Sequence, residues 1–131
     1  MLTSETIVRV RYSETDQMGY CYYGNYAAYF EVARVEAIRD LGMSYKEMED
    51  QGIAMPVLEY TIKYFKPAYY DDELTIKTNT YINGMRIYFD YETYNQNQVL
   101  INRAKTTLVF ISKESLKPIA PPKELVEKLT E

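Results

Sequence analysis

Hydrophobic and polar residues alternate along much of the chain, which is the pattern of β-strands that bury one face. The alternating stretches, with a longer apolar-rich one at the end, are 6–12, 57–65, 74–82, 87–93 and 99–111. Asn83-Gly84 is a strong signal for a tight hairpin between two of them. Segments 67–72 and 95–98 have the composition of turns. The pattern predicts five strands, the last four joined by short turns into an antiparallel sheet.

The alternation also predicts which side chains share a face. Val8, Val10 and Tyr12 fall on one face of the first strand, and Arg9 falls on the other. Pro56 indicates that the second strand begins at a sheet edge or at a bulge, because proline cannot donate to a central ladder.

One segment has the period of a helix instead. From about Gly24 the apolar residues form a single stripe, which consists of Tyr26, Phe30, Ala33, Ala37 and Leu41. Glu31 and Arg34 lie three residues apart on this helix, as do Glu36 and Arg39. This spacing predicts two ion pairs on the helix surface. For Glu31 and Arg34 the alternative is a role in fixing the helix against a dimer partner.

Helix ends are marked by familiar signals. Gly42 is typical of a helix C-terminus, and Ser44 followed by Glu47 predicts the capped start of a short helix that ends near Gly52. A further short helix is predicted after residues 121–122, since proline is favoured in a first helical turn.

These elements predict one domain, residues 1–131, of the α+β class, in which a single long helix covers one face of the sheet. The other face is then either exposed or covered by a partner, so a homodimer is the economical expectation.

Composition narrows the class of protein. The chain has 131 residues, of which 47% are hydrophobic and 26% charged, and a formal net charge of −4 without any block of like charges. A nucleic-acid-binding role is disfavoured by this charge, and no apolar run approaches the roughly 20 residues of a membrane span. The N-terminal residues lack signal-peptide features, and a single cysteine permits no internal disulfide. We expect a cytoplasmic protein without membrane insertion.

The residue types that are absent exclude several mechanisms. The sequence contains no histidine, which excludes Ser-His-Asp triads, Cys-His dyads and the usual zinc sites. Its five glycines are scattered, so there is no phosphate-binding loop. No metal site or cofactor is predicted.

Asp16 is the strongest candidate for chemistry, because it lies in a loop just before the long helix. Free amides and the positive dipole end of a helix N-terminus can stabilise an oxyanion, while a carboxylate acts as nucleophile or general base. The pattern indicates acyl transfer to water. The plain alternative is a turn residue. Glu14 is the competing carboxylate, and Cys21, which lacks a base to activate it, is interpreted as a packing residue.

The segment RVRYSETDQMGYCYYGNYAAYFEVAR resembles the opening signature of the hotdog-fold acyl-CoA thioesterases of the 4-hydroxybenzoyl-CoA thioesterase type. The similarity continues through FKPAYYDDELTI and RIYFDYETY and covers roughly residues 5 to 125. Aspartate, glycine, Asn-Tyr and the downstream glutamate and arginine all occur in register.

The resemblance implies a five-stranded antiparallel sheet wrapped around one long central helix, and a dimer with active sites at the subunit boundary. Such dimers often form dimers of dimers. It also implies hydrolysis of an acyl-CoA thioester without a metal or redox cofactor, with Asp16 as the catalytic carboxylate. Tyr23 occupies a position that is often histidine, and the backbone amides of Tyr23 and Gly24 would form the oxyanion hole.

Four further residues are candidates for substrate binding. Asn25 lies at the helix start, and Glu59 could face the site of a partner subunit. Lys66 and Arg86 could contact the phosphates of coenzyme A. Each also has an ordinary interpretation, since surface charges are usually only solvated.

Other functions compatible with this fold are a dehydratase of hydroxyacyl thioesters, a non-catalytic module that binds acyl-CoA or a fatty ligand, and a purely structural oligomer. A dehydratase generally needs a histidine base, and an intact Asp16 argues against the non-catalytic module. The acyl group is left open, and an acyl carrier protein could also present the substrate.

Overall fold

The computed structural model describes residues 2–130, which form one sheet, a long helix and several short elements. In chain order these are β1 (Leu2–Arg9), α1 (Asn25–Asp40), α2 (Tyr45–Asp50), β2 (Ile53–Ala54), β3 (Val57–Tyr64), β4 (Glu73–Asn83), β5 (Arg86–Tyr94), β6 (Leu100–Val109), β7 (Ile111–Ser112) and α3 (Lys123–Leu129). The predicted α+β class and five-stranded antiparallel sheet are confirmed.

The strand order of the sheet is β1-β4-β5-β6-β3. The predicted hairpin between β4 and β5 is present, with Gly84 at a φ of +65° in its turn. The prediction that 67–72 links a hairpin was wrong, since β3 pairs with β6 and not with β4. The reason is that β1 pairs with β4 from Leu2↔Thr80 to Arg9↔Glu73 and occupies the edge that β3 would need.

Two boundaries also differ from the prediction. The first strand ends at Arg9, and Tyr12 begins a 3₁₀ turn, where its side chain is 77% exposed and not on the buried face. The last strand does not run unbroken to Ile111, because β6 stops before Phe110, whose backbone oxygen accepts a hydrogen bond from the Ile119 amide. The chain then leaves the main sheet and forms β7, which pairs with β2.

Helix α1 packs its predicted stripe against one face of the sheet. All five residues of the stripe are buried. The Phe30 ring stacks on Tyr91 at 4.5 Å and meets Tyr60 of β3 at 6.1 Å. Burying aromatic and aliphatic side chains supplies most of the driving force for folding.

Only one of the two predicted ion pairs on α1 is present. Glu36 and Arg39 form their salt bridge. The prediction of an ion pair between Glu31 and Arg34 was wrong, since Arg34 is buried and forms no ion pair within residues 2–130.

The short helices follow their sequence signals. Ser44 Oγ accepts a hydrogen bond from the Glu47 amide at 3.0 Å and caps α2. In α3, Leu125 and Leu129 are buried. Among residues 2–130, none of the helices is long and apolar enough to cross a membrane.

Strand β3 lies at an edge of the sheet, as Pro56 indicated. Its pairing with β6 shifts register between Val57 and Glu59. Four large apolar side chains on this strand, Val57, Leu58, Tyr60 and Tyr64, are between 37% and 53% exposed. An edge strand with exposed apolar side chains is suited to pairing with another chain.

Candidate active site

A cavity of about 420 Å³ opens between the loop before α1, the first turn of α1 and the end of β3. Its walls consist of Asp16, Met18, Tyr20, Cys21, Tyr23, Tyr26, Tyr64, Phe65, Lys66 and Pro67. Apolar and aromatic side chains dominate this set, with a few polar groups between them, which is typical of small-molecule sites.

The Asp16 carboxylate is held in place by a tight turn of its own loop. Asp16 Oδ1 accepts a hydrogen bond from the Met18 amide at 2.9 Å. The Asp16 backbone amide donates a hydrogen bond to the Tyr20 oxygen at 3.0 Å, and the Asp16 backbone oxygen accepts one from the Gly19 amide at 2.9 Å. Gly19 has a φ of +84°, a conformation that glycine adopts without strain. The side chain is therefore oriented at the cavity wall and only partly exposed.

Two backbone amides remain free at the start of α1. The Tyr22 amide donates to the Glu14 oxygen at 2.8 Å, and the Asn25 and Tyr26 amides donate to the oxygens of Tyr22 and Tyr23. Across residues 2–130, the amides of Tyr23 and Gly24 find no acceptor. Unpaired amides at a helix N-terminus are a ready site for an oxyanion.

Burial favours the neutral form of three other groups at the cavity wall. It raises the pKa of the Cys21 thiol and of the Tyr26 and Tyr64 phenols. Among the wall residues, Asp16 is the only carboxylate and Lys66 the only amine. The thiolate of Cys21 and the phenolates of Tyr26 and Tyr64 are therefore disfavoured, and Asp16 provides the one carboxylate among the residues of this wall.

Glu14, the competing carboxylate, is not at the cavity wall. It is buried, and its Oε1 accepts hydrogen bonds from the Arg11 amide and the Tyr29 hydroxyl, both at 2.8 Å. Its Oε2 accepts one from Arg11 Nη2 at 3.1 Å. Burial alone would raise the pKa of Glu14, but the hydrogen bonds from Arg11 and Tyr29 and the Arg11 charge together lower it. Glu14 therefore anchors the loop that carries Asp16.

The predicted substrate contact of Asn25 is not supported by its position. Its Nδ2 donates to the Glu14 backbone oxygen at 2.7 Å, so the side chain fastens α1 to the loop and does not line the cavity. Tyr29, which links Glu14 to Cys21, is part of the same network and was not singled out from the sequence. Its only signal was its place beside the buried stripe.

The remaining candidates separate into one near the cavity and two away from it. Lys66 lines the cavity, as expected for a substrate contact. Glu59 precedes Tyr60, whose ring faces α1; because side chains alternate along a strand, Glu59 faces the other side of the sheet. Arg86 pairs with Val109 of β6, whereas Tyr64 of the cavity wall pairs with Asn102, seven residues away on the same strand and thus about 23 Å at the rise of a strand. Neither Glu59 nor Arg86 is among the residues that line the cavity.

Replacing Glu14 with glutamine is expected to remove about 1–3 kcal/mol of stability at neutral pH, because a buried charged acceptor is lost. A carboxyl whose pKa is lowered by folding stabilises the protein above its unfolded pKa, and this contribution is lost as pH falls through the folded pKa. The native protein should therefore lose stability below about pH 4.5 more steeply than the variant. Thermal unfolding as a function of pH measures this.

The control for this experiment is Glu49→Gln, which changes an exposed glutamate of α2. We expect this control to lose stability at acidic pH as steeply as the native protein does. If the native protein and Glu14→Gln lost stability equally steeply as the pH is lowered, the anchoring role would be contradicted.

The chain is similar in sequence to known thioesterases. The sequence model of the Thioesterase-like superfamily matches residues 10–129. YneP of Bacillus subtilis (strain 168) is 39% identical over 122 residues, which cover 91% of this chain and 87% of YneP. YbgC of Escherichia coli O157:H7, an acyl-CoA thioester hydrolase, is 34% identical over 120 residues, covering 91% and 90% of the two chains.

A solved structure agrees at the level of the fold and of the sequence. The DHNA-CoA thioesterase from Staphylococcus aureus superposes with a TM-score of 0.88 at 40% sequence identity. The superposition covers 92% of this chain and 81% of that protein.

Proposed function

Because the chain belongs to the Thioesterase-like superfamily and is an acyl-CoA thioesterase like its relatives, we propose that Asp16 and the start of α1 carry out its hydrolysis of acyl-CoA. The resemblance to hotdog thioesterases predicted from the sequence is thereby confirmed at the level of family, fold and enzyme class. The observation that carries the proposed mechanism is a single fixed carboxylate on a cavity wall whose neighbouring helix start has two free amides.

In the proposed reaction the thioester carbonyl lies in the cavity, with its oxygen at the amides of Tyr23 and Gly24. Asp16 acts as general base, taking a proton from water as the water oxygen attacks the carbonyl carbon. The amides stabilise the oxyanion, and the tetrahedral intermediate collapses with cleavage of the C–S bond. The sulfur of coenzyme A leaves and receives the proton, so that the products are the free acid and the thiol.

A second route gives the same two products, the free acid and coenzyme A. Asp16 attacks the carbonyl carbon directly and expels coenzyme A, and the resulting mixed anhydride is then hydrolysed by water. Either route requires the negative charge of Asp16 and the two amides. Both are therefore parts of one proposal for how this site works.

Lys66 is positioned to bind a phosphate group of the coenzyme A portion of the substrate. Its ammonium group stands at the cavity wall, where it is exposed and can meet a phosphate group. The aromatic walls, among them Tyr26, Tyr64 and Phe65, suit the acyl group.

We also propose that two copies of the chain pair through β3. The exposed apolar side chains of this edge strand lie next to the cavity, whose wall includes Tyr64 at the strand end. Pairing of β3 with its copy would cover this edge and place the cavity near the subunit boundary. Further association into a dimer of dimers, delivery of the substrate by an acyl carrier protein and a cytoplasmic location stay predictions.

Purified protein is expected to release free thiol from at least one member of a panel of short-chain, long-chain and aromatic acyl-CoAs. A thiol-detecting reagent measures the rate, with heat-denatured protein as the blank. Saturable binding of coenzyme A thioesters without thiol release from any of them would instead indicate the non-catalytic module and contradict the proposal.

A further inference from the structure

The two edge strands of the sheet differ in how their charged side chains are paired. On β1 both charged side chains form ion pairs with β4, which are Glu5–Lys77 at 4.0 Å and Arg9–Glu73 at 3.1 Å. The two charged residues of β3 are Glu59 and Lys63, and neither forms an ion pair within residues 2–130. The β3 edge therefore presents one negative and one positive charge that the described chain leaves unpaired.

Both of these charges lie on the face of the sheet that points away from α1. The rings of Tyr60 and Tyr64 contact aromatic side chains of α1. Because side chains alternate along a strand, Glu59, Thr61 and Lys63 face the other side. Glu59 and Lys63 are exposed there and lie four residues apart, about 13 Å at the rise of a strand, which is too far for an ion pair within one chain.

Lys63 ends a row of charges that crosses this outer face. Strand pairing sets Glu92 of β5 opposite Arg103 of β6, and Arg103 opposite Lys63. Arg103 Nε donates to Glu92 Oε2 at 3.3 Å, whereas the Lys63 ammonium lies 5.8 Å from the centre of the Phe65 ring and has only the like charge of Arg103 across the strand pair. Like charges directly opposite each other destabilise a sheet. A carboxylate on the open side of Lys63 would offset this repulsion.

A second copy of the chain supplies that carboxylate in one register of β3 with itself. The two-fold axis of an antiparallel pair of identical strands passes through one residue, which then lies opposite its own copy. With Thr61 on the axis, Glu59 lies opposite Lys63 of the partner subunit, and the reverse contact follows by symmetry. With Tyr60 on the axis the overlap of Val57–Tyr64 is equally long, but Lys63 then lies opposite Val57 of the partner subunit. Charge thus selects the register centred on Thr61.

We propose that β3 pairs with β3 of a second copy about a two-fold axis at Thr61, with two reciprocal ion pairs between Glu59 and Lys63 of the partner subunit. This inference rests on the dimer proposed above and adds its register. The same register sets Leu58 opposite Tyr64 of the partner subunit, and both side chains are about half exposed in one chain. Since Tyr64 lines the cavity, Leu58 of the partner subunit becomes a neighbour of the cavity wall.

Disulfide cross-linking tests the register. In a Cys21→Ser background, Thr61→Cys sets two cysteines directly opposite each other on the axis, where Cα atoms are about 4.5–5.5 Å apart and a disulfide fits. Oxidation is expected to give a covalent dimer on a non-reducing gel. Glu59→Cys and Lys63→Cys are the matched controls, because each lies about 13 Å along the strand from its own copy and should stay unlinked. Co-expression of these two variants should give the covalent dimer.

Charge reversal tests the ion pairs. Glu59→Lys sets two lysines at each contact, and Lys63→Glu sets two glutamates there. Each single variant is expected to dimerise about 10-fold more weakly than the native protein at low ionic strength, because like charges then lie opposite each other. The double variant Glu59→Lys/Lys63→Glu has opposite charges at both contacts and should dimerise as tightly as the native protein. Sedimentation equilibrium measures the dissociation constants.

The control for charge reversal uses the opposite edge of the sheet. Glu5 and Lys77 form their ion pair within one chain. Glu5→Lys and Lys77→Glu should therefore each leave the dissociation constant of the dimer unchanged. Circular dichroism establishes that every variant is folded before its dimerisation is measured.

Three results would overturn the inference. They are a folded Thr61→Cys dimer that forms no disulfide, single charge-reversed variants that dimerise as tightly as the native protein, and a double variant that is as weak as the single ones. A monomeric native protein would overturn the proposed dimer as well. Hydrolysis of acyl-CoA is measured separately, so an active native dimer that fails these tests would contradict the register alone and leave the proposed function intact.

Discussion

Replacing Asp16 by asparagine is expected to lower kcat for acyl-CoA hydrolysis by about 10²–10⁴-fold, the range that a positioned acid or base contributes. The amide oxygen of asparagine can still accept the hydrogen bond from the Met18 backbone, so the turn that holds residue 16 is kept. What is lost is the negative charge that attacks the carbonyl or activates water. The rate of thiol release at saturating substrate measures the effect.

The matched control is Asp40→Asn, which changes an exposed aspartate at the end of α1, remote in sequence from the loop. It should retain the native rate. Thermal unfolding of both variants should be close to that of the native protein, which would assign the loss to chemistry and not to folding. Native activity in Asp16→Asn would remove Asp16 from the catalytic role.

Removing the Tyr23 amide is expected to lower kcat by about 10²–10³-fold, the usual effect of deleting one oxyanion-hole donor. Tyr23→Pro does this, since proline has no N–H. The Asn25 amide donates to the Tyr22 oxygen, and Gly24 has helical angles (φ −62°, ψ −21°), so Tyr23 is at the second position of a turn. Proline is favoured at that position.

Tyr23→Ala is the control for this change, because it removes the same side chain and keeps the amide. The difference in kcat between the alanine and proline variants isolates the contribution of the N–H group. Equal rates for the two variants, both folded by circular dichroism, would show that the Tyr23 amide does not stabilise the transition state.

Most secondary structure could be predicted because it depends on local sequence. The helical stripe from Tyr26 to Leu41, the Asn83-Gly84 hairpin and the Ser44 cap all follow from periodicity or from backbone preferences within a few residues. The partner of β3 could not be predicted this way. Alternation shows that a segment is a strand with one buried face, but β1 and β3 both alternate, and only the assembled sheet determines which of them pairs with β4.

The candidate site shows the same division. The position of Asp16 in a loop before a helix could be predicted from the sequence, and so could the candidacy of Lys66 as a substrate contact. The sequence ranked Asp16 ahead of Glu14 through the family resemblance, although both are carboxylates in one loop, and it did not show what each of them contacts. Their roles differ because the fold buries Glu14 among Arg11 and Tyr29 while it leaves Asp16 at the cavity wall.

By itself, then, the sequence determined the order and type of the main elements, the hotdog family resemblance and the identity of the leading carboxylate. Only the tertiary structure decided that Glu14 and Asn25 fasten the loop, that Glu59 and Arg86 do not line the cavity, and that Arg34 is buried without an ion pair to any residue from 2 to 130. The physical reason is that periodicity reports which face of an element is apolar. Burial, hydrogen-bond partners and the surroundings of a charge depend on segments distant in sequence that folding brings together.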